Sequence, residues 1–263
     1  MSLSSLSATA RTTPTAWDYE PLARHYESRA PYHPSALAAI LEEARFLPLG
    51  EAVDVGAGTG RFSGELARAG FAVWAVEPSA AMRAIGEERC RGLQICWRDA
   101  RGEATGLPDA RHRLVSFAST FNVMPDPDRA LAEAARLLVP GGLLVCLWNH
   151  RDLDDPLQRA IENRVRARLP AFAYGSRRDD PSARIARSPL FEAPRSLALA
   201  HVHRTAVATF LDGFRAHATL VRQAGGRLES VLADIGALLA DVSEIAVPFT
   251  TRIWFARRGV YVR

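Results

Sequence analysis

The chain has 263 residues, 48% of them apolar and 24% charged, with a formal net charge of +4. Every basic side chain counted in that total is arginine, so Schiff-base chemistry, a lysine general base and the Tyr/Lys pair of NAD(P)-dependent oxidoreductases are excluded. The arginines are spread along the chain rather than gathered into one stretch, which argues against a nucleic-acid partner.

Residues 1–16 are rich in Ser, Thr and Ala and are expected to be a disordered tail. No apolar stretch is long enough to span a membrane. Order is expected from Trp17, with Tyr19, Tyr26 and Tyr32 ahead of an amphipathic helix that Ser35 can cap and that Leu37, Ile40, Leu41 and Ala44 stripe. Residues 52–64 then read AVDVGAGTGRFSG. Val53 and Val55 mark a buried strand, the glycines a tight loop, and Phe62, Leu66 and Ala69 a helix, the order found in nucleotide-binding turns. The dinucleotide fingerprint G-x-G-x-x-G is not met: the third glycine is Gly60, and Arg61 stands where that pattern needs glycine.

Gly70 closes this helix, Phe71–Val76 forms a second strand, and Glu77 ends it. Glu77 lies 21 positions after Gly56, the separation at which an acid accepts hydrogen bonds from both ribose hydroxyls of a bound cofactor. Pro78 and Ser79 start the next helix, with Met82 on its first turn. Leu93–Trp97 is a third strand, followed by Asp99 and Ala100; Leu114–Ala118 is a fourth, continuing through Ser119 to Asn122. Asp126 and Pro127 suit the N-cap and N1 positions of a helix carrying Leu131, Ala134, Ala135 and Leu138. Pro140-Gly141-Gly142 turns into a fifth strand, LLVCLW. Strands that alternate with helices require parallel pairing and right-handed crossovers.

From Asp155 the pattern changes. Asp155-Pro156 opens a helix striped by Leu157, Ile161, Val165 and Leu169, and an arginine-rich loop runs from Tyr174 to Asp180. LALAHVHRTAVATF supplies a sixth strand, two helices are divided by Gly225-Gly226, and IAVPFTTRIWFA is the last strand. Cys90, Cys96 and Cys146 are odd in number and read as reduced, mostly buried thiols of a cytoplasmic protein.

The string VDVGAGTGRFSGELA resembles motif I of the class I S-adenosylmethionine-dependent methyltransferases, an acid followed by G-x-G-x-G. DRALAEAARLLVPGGLLVCLWNHRD resembles the stretch between motifs IV and VI of the methyltransferase type 11, trans-aconitate-methyltransferase-like subgroup. Tyr26-x-x-Arg29-x-x-Tyr32-x-Pro34 resembles a Tyr-Arg-Pro-x-Tyr-Pro segment that folds over the cofactor in that subgroup. The resemblance covers roughly residues 17–258 and is specific from 52 to 152.

It implies an α/β fold: a Rossmann-like, doubly wound, seven-stranded sheet with an antiparallel last strand, in three αβα layers. An N-terminal helical segment and a helical cap insertion complete it. Residues 17–263 would form one domain, with cap and acceptor elements at about 17–34 and 153–223. The implied cofactor is S-adenosylmethionine, with S-adenosylhomocysteine as product. The residues expected to bind it are Tyr26, Arg29, Asp54, Gly56, Ala57, Gly58, Gly60, Glu77, Pro78, Met82, Asp99, Ala100 and Ser119. Asp99 would receive the adenine amino group or, on the simpler reading, pair with Arg98 and Arg101.

The ends of strands four and five, at Ser119–Asn122 and Asn149–Asp152, would face the methyl acceptor. A sulfonium methyl is already activated, so alignment for in-line displacement is the main task, worth ~7–11 kcal/mol of the barrier. His150 and His217 are the candidate bases, and Asn122 stands where the subgroup usually has histidine. Arg113 replaces an aspartate that usually opens strand four. The Lys-Asp-Lys-Glu set, the Pro-Cys nucleophile and the Asn-Pro-Pro-Tyr motif of other methyltransferases are absent, and no metal site is evident. The expected acceptor is a small organic molecule, such as a carboxylic acid or a natural-product scaffold, methylated on O, N or C. Neither a membrane nor nucleic acid is an expected partner, and the sequence does not specify an oligomeric state. The rival reading is a non-catalytic S-adenosylmethionine-binding regulator or chaperone of the same fold.

Overall fold

The protein is described by a computed structural model covering residues 18–45 and 50–260; the expected tail and Trp17 lie outside the described residues. Five strands pair in parallel in the order β3-β2-β1-β4-β5: β1 (Glu51–Val55), β2 (Ala72–Val76), β3 (Ile95–Arg98), β4 (His112–Ala118) and β5 (Leu138–Arg151). Two long strands complete the sheet. β7 (Glu244–Arg257) runs antiparallel against β5, and β6 (Arg195–Ala206) runs antiparallel against β7. The last strand in the chain is therefore the one that reverses direction, as the resemblance implies.

The sheet has helices on both faces, and strand alternation sorts the side chains between them. On β5, Leu143, Val145 and Leu147 point to the layer of α1 (Ala36–Ala44) and α2 (Arg61–Arg68), where they meet Ile40, Phe62 and Leu66. Leu144, Cys146 and Trp148 point to the layer of α4 (Pro127–Leu137) and α6 (Ser182–Arg187), meeting Leu131, Ala134 and Ile185. β1 is buried along almost its whole length, because a central strand is covered on both sides. Helix starts follow their capping residues. Ser79 accepts from Met82 N at 3.2 Å to cap α3 (Ala80–Arg89), Asp126 caps α4 and Asp155 caps α5 (Pro156–Arg168). Ser35 makes no such bond; Ala36 N donates to His33 O instead.

Several expected boundaries move. β3 starts at Ile95 rather than Leu93, because Leu93 N turns back to Cys90 O. β4 starts two residues early, since Arg111 N reaches Leu137 O and His112 registers with Leu138. β6 ends at Ala206, and Val207–Arg215 forms α7, because Phe210 and Phe214 recur at helical spacing and are both buried. α8 (Ala218–Ala224) and α9 (Leu228–Leu238) follow, divided at Gly225-Gly226 as expected. Cys90 and Cys146 are buried and Cys96 is exposed, in line with the expectation of mostly buried thiols.

A third, smaller core stands over the carboxyl end of β5. It joins Ile161 and Val165 of α5, Phe210 and Phe214 of α7, Val231 and Ile235 of α9, and Ile245 and Val247 of β7. The cap thus reaches past residue 223, while β6, inside the expected cap range, belongs to the sheet.

Candidate active site

The carboxyl ends of β1, β2 and β4 converge on a cavity of about 220 Å³. Its floor is the glycine loop, held to the end of β2 by Gly56 N and Ala57 N, which donate to Val76 O at 2.8 and 3.1 Å. Gly58 has φ +56°, and a Cβ built there would meet no atom within 4 Å, so the loop backbone opens directly on the cavity. The buried Glu77 carboxylate stands at its edge, accepting from Gly58 N and Ser79 N, each at 2.9 Å. Burial raises the Glu77 pKa, and those two N–H groups together with Arg83 pull it back. A carboxylate offers about four acceptor positions. Two remain for a ligand.

A strap from the N-terminal side crosses the cavity. Its 3₁₀ segment, Glu20–Ser28, leads to Arg29, whose guanidinium lies 5.2 Å over the Tyr26 ring. Burial pushes the Tyr26 hydroxyl up to about 12, so it stays protonated. Among the described residues no carboxylate lies within ion-pair distance of Arg29. The strap is tied down repeatedly. Arg61 donates to Arg29 O and Glu27 O at 2.5 and 2.6 Å, and the Tyr32 hydroxyl bonds Ser119 Oγ at 2.8 Å. Asn149 Nδ2 donates to Pro31 O at 2.5 Å, while His25 and Ser28 bond Asp212 of α7, each at 2.7 Å.

A second cavity, of about 160 Å³, adjoins the first, and Arg29, Ala30, Ser119, Val123 and Asn149 line both. Ser119 has φ +65°, a left-handed conformation that costs a non-glycine residue about 1–3 kcal/mol. It is held there by Leu147 O, which accepts its N–H at 2.7 Å, and by Tyr32. The walls of the second cavity come from the sheet end (Trp148, His150) and from the cap (Tyr174, Arg178, Phe214, His217). His150 Nε2 and Trp148 Nε1 are buried there with no partner among the described residues. Burial, then the charge of Arg178, depresses His150 to about 4, so its imidazole is neutral.

Residues 53–146 match a family described as "Methyltransferase domain". Over this stretch, which runs from β1 into β5, the chain is similar to the class I methyltransferases. Demethylmenaquinone methyltransferase of Tropheryma whipplei (strain Twist) is 36% identical over 102 residues, which is 38% of this chain and 42% of that protein. Ubiquinone/menaquinone biosynthesis C-methyltransferase UbiE of Methylobacterium nodulans is 33% identical over 152 residues, 54% of this chain and 60% of the relative. The chain thus spans about half the length of these curated relatives. A solved structure of a candidate type II methyltransferase from Anaeromyxobacter dehalogenans shares the fold, with a TM-score of 0.62 at 23% identity, covering 89% of this chain and 100% of the other. S-adenosylmethionine is the cofactor of this class of methyltransferases.

Of the expected cofactor residues, Tyr26, Arg29, Gly56, Ala57, Gly58, Glu77, Pro78, Met82 and Ser119 line the first cavity. Four other expected cofactor residues do not. Asp54 is fully buried beneath the loop, accepting from Ser63 Oγ and Ser116 Oγ at 2.7 and 2.8 Å. Gly60 has a packing role: a Cβ there would meet Cys90 Sγ at 2.9 Å and Trp97 at 3.1 Å. Asp99 pairs at 2.9 Å with Arg83, rather than with the expected Arg98 or Arg101, and Ala100 packs on the core under α4.

The three residues expected near the chemistry all line the second cavity, in different states. Asn122 donates its side-chain Nδ2 to Asp179 O at 2.8 Å, and its backbone carbonyl accepts from Ser176 Oγ, tying the cap loop to the sheet. His217 caps α8, its Nδ1 accepting from Leu220 N at 3.1 Å, so in this orientation Nε2 carries the proton and faces away from a base role. Burial also depresses its pKa. His150 keeps a buried ring nitrogen, Nε2, with no partner among the described residues.

The sequence reading missed Arg61, Arg177 and Arg178 as site residues. Arg61 was noticed only as a break in a glycine pattern, and the Arg177-Arg178 doublet beside Tyr174 only as loop composition. An aromatic followed closely by paired arginines was the available signal.

Proposed function

We propose that the chain is an S-adenosylmethionine-dependent methyltransferase acting on an O, N or C nucleophile of a small organic molecule. The observation that carries this is the pair of adjoining cavities: one floored by the glycine loop and Glu77, the other walled by the cap, with five lining residues in common.

The first cavity fits the cofactor on its own geometry. Gly58 leaves open space where any side chain would intrude, and Glu77 keeps acceptor positions suited to a ribose diol. Pro78 and Met82 offer an apolar face for the base. When bound, S-adenosylmethionine supplies an activated sulfonium methyl group. This chain's residues then do the positioning. Glu77 fixes the ribose, Ser119 and Arg29 shape the neck, and Phe214 and Phe249 exclude water from the acceptor side. His150 Nε2 aligns a hydroxyl or amine of the acceptor, or draws its proton.

This reading treats residues 17–263 as one unit with acceptor elements in the strap and cap. Three cysteines without disulfides fit a cytoplasmic location. Calorimetry with S-adenosylhomocysteine, followed by an acceptor screen with methyl-labelled cofactor, tests it. Tight binding of S-adenosylhomocysteine and label transfer to a small molecule are expected. Absent binding, or preference for NAD, defeats the cofactor assignment; binding with no transfer to any acceptor would mark a binding module.

A further inference from the structure

The second cavity is lined by four arginines (Arg29, Arg151, Arg177, Arg178), three histidines, and no aspartate or glutamate. Among the described residues, Arg29 and Arg178 have no carboxylate within ion-pair distance, and Arg151 lies 3.5 Å from Glu162, a carboxylate already shared with Arg166 and with the Tyr174 hydroxyl. Arg178 donates to Arg151 O at 3.2 Å and lies 5.3 Å over the Tyr174 ring. Burial, and the neighbouring charges of Arg151 and Arg252, depress its pKa against the opposing pull of Tyr174 and Glu162. Guanidinium groups in a half-buried cavity with no carboxylate at ion-pair distance, as at Arg29 and Arg178, are costly unless something anionic joins them. The same walls offer flat apolar surface. Phe214 carries Arg151 over its ring at 5.1 Å, and Phe249 and Tyr174 stand alongside. The Trp148 Nε1–H can only donate, and it too lacks a partner.

Resting on the methyltransferase reading, we propose that the acceptor is an aromatic acid: a flat ring held between the cap aromatics, with its anionic group taken by the guanidinium of Arg178. The planar fork of arginine suits a carboxylate or a phosphate equally, so the shared feature is an oxyanion on an aromatic body. The nucleophile then lies toward the neck, at Ser119 and Asn149. His150 fits the same arrangement, because an anion against Arg178 offsets part of the positive charge that keeps its imidazole hard to protonate.

The test is calorimetry on the full chain saturated with S-adenosylhomocysteine. Hydroxybenzoates and hydroxynaphthoates are titrated beside the matching carboxamides, with aryl phosphates as a second arm that separates the two oxyanions. At least one acid series should bind tenfold or more tightly than its neutral counterpart, and the preference should shrink as salt rises. Arg178→Gln should remove most of the preference and Arg178→Lys should keep part of it, with the affinity for S-adenosylhomocysteine unchanged in both. Equal binding of acids and carboxamides, or a preference indifferent to salt, overturns the proposal on the unmutated chain, whatever the stability of the variants. Failure of S-adenosylhomocysteine itself to bind is a separate result and overturns the methyltransferase reading.

Discussion

The two cavities share a neck and differ in how they are built and charged. The first is made largely of backbone: a glycine loop pinned to the end of β2, with one carboxylate buried against two N–H groups. Its charges are balanced, with Glu65, Glu77 and Glu103 facing Arg29, Arg61 and Arg101. The second is made of side chains from the cap and the sheet end, and its ionised lining is arginine alone. Backbone geometry serves a ligand that does not change. Long, adaptable side chains on an added element serve a ligand that sets specificity.

The strongest way to break this comparison is Gly58→Val. The side chain would project into the first cavity and meet no protein atom, so the fold should hold, apart from about 1–2 kcal/mol for the left-handed backbone. Binding of S-adenosylhomocysteine should fall by a hundredfold or more, with the circular dichroism spectrum unchanged. A variant that still binds would mean that the loop is only a turn.

Asp54 tests what lies beneath the loop. Burial raises its pKa from 3.8 to about 6, against the opposing bonds from Ser63 and Ser116. A raised folded-state pKa means that the fold holds the proton more tightly. The contribution is fully present below about pH 4 and is lost as pH rises through about 6. Asp54→Asn should therefore stabilise the protein at pH 8 by on the order of 3 kcal/mol at most, and by nothing at pH 4. Thermal melts at the two pH values decide it; equal gains at both would show that the buried carboxylate is not the cause.

Glu77→Ala removes the carboxylate that holds the loop and, in the proposed function, the ribose of the ligand. Each charge-assisted hydrogen bond lost is worth ~1.5–3 kcal/mol, so calorimetry should show S-adenosylhomocysteine weakened at least tenfold. Aromatic-acid binding in the second cavity should change little, and a parallel loss there would merge the two cavities into one site.

The smallest effect concerns the strap. Tyr32→Phe deletes the bond to Ser119 Oγ, at a cost of about 1 kcal/mol. Release of S-adenosylhomocysteine should quicken severalfold, and backbone amides in 18–34 should exchange faster in the complex. Unchanged exchange there would make the strap passive scaffold.

The first cavity was the legible one, for a local reason. The glycine loop, α2 and Glu77 belong to a single strand–helix–strand unit whose two strands pair directly, so spacing along the chain maps onto distance in space. The order of strands and helices through residue 151 was readable by the same logic, because buried parallel strands are short apolar runs between turn signals. The end of β6 was less so. LALAHVHRTAVATF alternates as a strand would, and only the packing of Phe210 and Phe214 against α5 and α9 turns its tail into a helix.

Tertiary structure alone decided the second cavity and the fate of the acids. Asp99 and Arg83 lie 16 positions apart, in a pairing that no local pattern foretells. Asp54 looked like a ligand-facing member of its motif, yet strand pleating turns it under the loop to meet Ser116 on the next strand. Arg29, Arg151 and Arg178 are far apart in the chain, and in sequence each is one arginine among many. They become a cationic wall only because the strap and the cap fold over the same end of the sheet, where side chains without local periodicity are brought together by packing.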